Sequence, residues 1–164
     1  MRALDSRLVV LALRVAQAVF AIIVLGVSAY VANWWSGYWH SYSPSQINYL
    51  IFCSVWSLLA LLYLIIVPWR FSESGAHHKF AILAVEGVTM VFWFAGFIAL
   101  AVFLSDRVCF GHVCSAAKAA CVFAAFAWAT FAATTAMAVL HVVKTRNGTH
   151  RAKADPNLNM QEGV

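Results

Sequence analysis

Apolar residues fill four long stretches of the chain, roughly 8–32, 47–67, 80–104 and 116–143, and polar residues gather in the short pieces between and beyond them. About 20 residues at 1.5 Å rise cross the hydrocarbon core of a bilayer, so each stretch predicts a transmembrane helix. The connections are too short for a second domain. The pattern therefore predicts an all-α fold, an integral membrane four-helix bundle over 8–145. A short tail, 1–7, precedes the bundle. A polar tail, 146–164, follows it. From Thr145 onward there is no apolar periodicity, which predicts disorder.

Composition narrows the function classes. Of 164 residues, 63% are hydrophobic and 10% are charged, and no long hydrophilic segment exists to form a soluble catalytic domain. The net charge of +5 lies mostly at span ends and in the tails, at headgroup depth, which argues for lipid and against nucleic acid. Arg2, Arg7, Arg70, Lys79, Lys144, Arg146, Arg151 and Lys153 flank one side. The piece 33–46 has no Lys or Arg, and 105–115 has only Arg107 before the fourth span. The positive-inside rule then puts both termini in the cytosol. The sequon Asn147-Gly148-Thr149 would face the cytosol and stay unmodified. The first span is too long for a cleaved signal core, and Arg14 and Gln17 interrupt it, so it is read as a retained helix.

Aromatic residues crowd the end of the first span: Trp34, Trp35, Tyr38, Trp39 and Tyr42. They read as an interfacial belt on the outer loop 33–46, with Trp69 at the opposite surface; a recognition loop is the alternative. Ser45, after Pro44, is the expected N-cap of the second span. Pro68-Trp69-Arg70 closes that span. His77 and His78 fall in the loop that follows, without the ligand set of a metal site. Facing histidine pairs for haem are also missing, so no cofactor is expected.

The fourth span carries twelve alanines between Ala116 and Ala138. Ala125, Ala129, Ala132 and Ala136 recur at helical spacing on one face. Small residues at that spacing allow close helix contact in lipid. The contact is either inside the bundle or with another subunit.

Two ionisable residues lie deep within spans, Arg14 and Glu86. Each is six residues into its span, about 9 Å from the same boundary. Opposite charges at equal depth predict an ion pair, in which Arg14 heads a stripe of Gln17, Ala18, Ala21, Leu25 and Ser28. Glu86 heads Met90, Trp93 and Phe97. A packing clamp between the first and third helices is the main reading; headgroup contact by Arg14 and a proton-sensitive Glu86 are the alternatives. Cys109 and Cys114 share the outer loop 105–115, where an oxidising compartment favours a disulfide. Cys53 and Cys121 read as apolar packing residues. Without a C-x-x-C the cysteines do not suggest thiol exchange.

The ensemble resembles the MARVEL domain, specifically the small fungal tetraspan MARVEL proteins, over about residues 8–145. The resemblance rests on Leu13-Arg14-Val15-Ala16-Gln17, on Glu86-Gly87-Val88-Thr89-Met90-Val91-Phe92-Trp93, and on the Cys109/Cys114 loop. It implies a non-enzymatic role in membrane apposition, vesicle trafficking or lateral microdomains, in fungi at plasma-membrane furrows called eisosomes. The expected partners are membrane lipids, sterol or sphingolipid among them, and further copies of the chain. The alternative is an accessory subunit docked through the fourth helix on a larger transporter, pump or synthase. A proton-coupled transporter using Glu86 is a weaker reading, because the spans offer little polar lining.

Overall fold

The computed structural model describes residues 2–39, 43–70, 77–106 and 111–153; side chains are described for 8–37, 43–66, 80–106, 111–140 and 142–143. Four helices account for nearly all of it: α1 (Arg2–Trp39), α2 (Ser45–Arg70), α3 (His77–Ser105) and α4 (His112–Lys153). Each contains a stretch long and apolar enough to cross a bilayer, Leu8–Gly37, Ser45–Ile66, Phe80–Ser105 and His112–Leu140. The fold is an all-α four-helix membrane bundle.

Every helix packs on two neighbours, α1 on α2 and α4, and α3 on α2 and α4. The section is a closed square, in which α1 and α3 form one diagonal and α2 and α4 the other. Because the spans alternate in direction, the start of α1, the end of α2, the start of α3 and the end of α4 share one face. Arg2, Arg7, Arg70, Lys79 and Lys144 belong to those ends, so this is the basic face.

Inward residues follow helical spacing. On α1 they are Gln17, Ala21, Val24, Ser28 and Val31; on α3 they are Glu86, Thr89, Trp93, Gly96 and Leu100. Leu25 and Ala18, expected on the inner stripe of α1, are half-buried beside it. The α4 face that packs is Ala117, Ala120, Ala124, Ala127, Phe131 and Thr134. Outward positions are as apolar as inward ones, with Ile22, Leu59, Val91 and Phe126 all exposed. That is the pattern of helices solvated by lipid, where sequestration from water does not distinguish the two sides and close contact must hold the helices together. Gly96 shows such contact. A Cβ placed there would lie 2.9 Å from Leu50 Cδ2 on α2.

The helices overrun the expected boundaries in four places. The piece 33–46 is not all loop: α1 continues through Trp39, because nothing before Pro44 stops it and aromatic rings suit the interface. The basic segment from Thr145 is helical to Lys153, not disordered from its start. It extends an existing helix, so only propagation is needed, and cations near a helix C-terminus are favourable. Residues 2–7 join α1, and His77 and His78 open α3 instead of sitting in a loop. Ser45 is a helical residue and not the cap. The amides of Ile47 and Asn48 donate to the Pro44 carbonyl at 3.0 and 3.2 Å, while the Ser45 hydroxyl donates to the Gln46 side chain at 3.3 Å. At the other end of the bundle Gly111, with φ +89, turns the chain into α4.

Filling the Gly96 contact should force Leu50 out of place. Gly96→Ala is expected to cost about 1–3 kcal/mol, read as a lower unfolding temperature in detergent by circular dichroism. An unchanged temperature would show that α2 and α3 do not approach closely at this level.

Candidate functional site

The site is a polar network near the basic face. Arg14 reaches across the α1–α3 diagonal, and its Nη2 donates to Oε1 of Glu86. Nη1 of the same guanidinium donates to Oε1 of Gln17 at 3.0 Å. The Gln17 amide then donates to α4, to the Thr130 carbonyl at 3.2 Å and to Thr134 Oγ1 at 3.1 Å. The Thr134 hydroxyl donates in turn to the Phe131 carbonyl at 3.1 Å. One chain of bonds thus joins α3, α1 and α4.

Helix periodicity explains why these groups meet. Arg14 and Gln17 are three residues apart and so share a face. Glu86 is as deep in α3 as Arg14 is in α1, and α4 runs the opposite way, bringing Thr130 and Thr134 to the same level. The pair is strongly shielded, with side-chain exposures of 11% for Arg14 and 2% for Glu86. Shielding makes the charges costly apart and strongly attractive together. The pairing is one-armed. Glu86 Oε2 has no partner among the described residues, and neither do the buried hydroxyls of Ser28 and Thr135.

A second seam joins α2 to α3. Trp93, fully buried, donates from Nε1 to Ser57 Oγ at 2.8 Å. Ser57 donates onward to the Cys53 carbonyl at 2.7 Å. Trp56 donates to Thr89 Oγ1 at 3.1 Å. The thiols of Cys53 and Cys121 lie 3.6 Å from the carbonyls of Phe92 and Phe97. Both cysteines are free, and both sit at helix contacts.

The remaining sequence-derived residues fall as follows. Trp34 and Trp35 are half-buried at the end of α1, with rings edge to face at 6.1 Å. Tyr38 and Trp39 lie on α1 and Trp69 on α2, with side chains outside the described residues. Tyr42 and Cys109 lie wholly outside them. Ala129 and Ala136 are exposed and Ala125 and Ala132 half-buried, so this stripe lies at the rim and outside of the bundle, beside the alanines that pack within it. Among the described residues no group of three His, Cys, Asp or Glu side chains is placed to hold a metal. The network offers hydrogen bonds and one countercharged carboxylate, with no nucleophile beside a base.

Sequence reasoning paired Arg14 with Glu86 and saw Gln17 beside them. It did not single out Thr130 and Thr134, which belong to the sparse polar lining of the spans. Counting depth from the basic end of α4 would have placed them level with Gln17.

Removing one charge should strand the other. Arg14→Met is expected to destabilise the bundle by about 3–5 kcal/mol, and Arg14→Met/Glu86→Met to recover most of that loss. Denaturant unfolding in detergent, followed by tryptophan fluorescence, compares them. Strictly additive losses would contradict the pairing.

No curated protein matches the chain, and no solved structure matches it. One family profile does, MARVEL, described as a membrane-associating domain, over residues 7–137. That stretch takes in the first three spans and most of the fourth, with the Arg14–Glu86 pair and Thr130, Thr134 and Thr135 of α4. The chain belongs to the MARVEL family of membrane-associating domains.

Proposed function

We propose that this protein is a non-enzymatic organiser of membrane patches, which self-associates through the outer face of α4 and gathers lipid around the assembly. The observation that carries this reading is the division of labour on α4. Ala120, Ala124 and Ala127 face inward and are fully buried. Ala129, Ala133 and Ala136 face outward and are exposed, with Ala125 and Ala132 at the rim. The bundle does not use this outer small-residue surface. In lipid, such a surface gains most from contact with another helix, because backbones can approach closely and van der Waals contact is the main attraction available. Phe126 and Leu140, both exposed, lie at the two ends of the same face.

The finer reading is a plasma-membrane protein of the small fungal, furrow-associated type, with both termini in the cytosol. The basic residues at one face support the orientation. A Cys109–Cys114 bridge on the opposite side belongs to this reading; Cys114 is disulfide-bonded while Cys53 and Cys121 are free thiols. Sterol and sphingolipid are the lipids such a patch would collect. The same outer face would also serve an accessory subunit docking on a larger transporter, pump or synthase, and the experiment separates the two.

Ala129→Leu/Ala132→Leu fills the outer face without entering the core. Cross-linking and native mass spectrometry in mild detergent should show oligomers for the parent chain and monomers for the variant, at unchanged helicity. A parent chain that is strictly monomeric, with no retained lipid, counts against self-association. A stoichiometric large partner, lost in the variant, would instead establish the accessory role.

A further inference from the structure

Arg14 has capacity that its two described bonds leave unused. A guanidinium carries five N–H donors in a planar fork. One is spent on Gln17 and one on Glu86. On the other side of the pair, Glu86 Oε2 is buried and unpartnered among the described residues. A contact that engages both carboxylate oxygens would be the tight form. The one seen here engages a single carboxylate oxygen.

The geometry also gives Arg14 a second place to go. Side chains on a helix lean toward its N-terminus and lie over the preceding turn. For Arg14 that turn holds Val10 and Leu11, both exposed, at 38% and 59%. It leads directly to the basic face, about 9 Å away along α1. A long cationic side chain that turns along such a path reaches headgroup depth with its stem still in hydrocarbon. Little helix packing is lost, because α1 and α3 are diagonal and pack mainly on α2 and α4, touching each other only weakly.

We propose that Arg14 is a phosphate-binding residue with two positions, paired with Glu86 in the closed bundle and, in the alternative state, with the phosphate of a lipid headgroup at the basic face. In the exchange the Arg14–Glu86 ion pair breaks and an Arg14–phosphate pair forms. The carboxylate left behind takes one proton from water at that face, since an isolated buried charge costs more than its acid form. Phosphate binding and protonation of Glu86 therefore favour one another. No other charge in the described spans is placed to substitute. The only titratable side chains of α2 between Ser45 and Ile66 are Tyr49, Cys53 and Tyr63. From α4 the neutral Thr130 and Thr134 meet the network; His141 follows seven residues on, about 10 Å nearer the basic face, with its side chain outside the described residues, while Cys121, Lys118 and His112 lie toward the opposite face, Lys118 about 24 Å along the helix from Thr134. On α1, besides Arg14, only Tyr30 titrates within the described span, also toward the opposite face, and on α3 Glu86 is alone.

The test uses the full chain in dodecyl maltoside, which contains no phosphate, titrated with dihexanoyl phosphatidic acid and separately with inorganic phosphate. Native mass spectrometry counts retained lipid. Spin labels at Leu8→Cys and Phe80→Cys, both strongly exposed at the basic end, report the α1–α3 spacing, with Cys53 and Cys121 replaced by alanine. Glu86→Gln frees Arg14 of its competitor and should retain phosphatidic acid about tenfold more strongly than the parent, or 1.4 kcal/mol. Arg14→Gln/Glu86→Gln has no buried charge and folds without needing the pair; it should lose that gain entirely. In the parent chain, phosphatidic acid should widen the labelled distance. Equal retention by Glu86→Gln and the double variant overturns the proposal, as does a spacing that phosphatidic acid leaves unchanged. An equal response to inorganic phosphate overturns the lipid assignment. The proposal is independent of self-association: Ala129→Leu/Ala132→Leu should keep the phosphatidic acid response even when it loses its oligomers.

Discussion

Glu86 is a carboxylate buried in a lipid-embedded bundle, and its charge must be answered from within the protein. Water is absent from the hydrocarbon region, so an unanswered charge or hydrogen-bonding group there has no cheap alternative. Arg14 supplies the answer from the diagonal helix. Gln17 then fixes the guanidinium, and the α4 backbone and Thr134 fix Gln17. The rotation of α1, α3 and α4 at this level follows from that chain of contacts. Turning any one of these helices by a residue would carry its polar group into lipid.

The remaining interactions are weaker singly and spread along the bundle. Trp93 and Trp56 each bury a large ring against α2 and α3 while directing the indole N–H to a hydroxyl. Free thiols rest against helix carbonyls at two further contacts. Gly96 leaves room for Leu50 of α2 to pack directly on α3, where an added Cβ would displace its methyl. Because lipid solvates an apolar side chain as well as the bundle interior does, these polar and small-residue contacts decide the register.

Most of the architecture was legible from the chain, because hydropathy reports span number and length without reference to tertiary contacts. Equal depth was enough to pair Arg14 with Glu86. Helix ends were less legible. Trp34 to Trp39 and Thr145 to Lys153 are polar or amphipathic, so hydropathy ends the spans there while the backbone has no reason to stop. The inner face of α4 was harder still. Alanine occurs on nearly every side of that helix, so periodicity cannot tell Ala124 and Ala127, which pack, from Ala129 and Ala136, which do not. Only the neighbours settle that choice.

The square section of the bundle has a mechanical consequence. Four rods joined side by side make a frame that shears like a parallelogram unless a diagonal is braced. Here the one ion pair among the described residues that crosses the α1–α3 diagonal, Arg14 with Glu86, lies near the basic face. A bridge between α3 and α4 on the opposite side would tie an edge of the frame, which leaves it free to skew. While that pair is closed, the frame resists skew more at the basic face than at the opposite one. Opening or closing that one pair would therefore change how firmly the frame is held at the basic face more than at the opposite one.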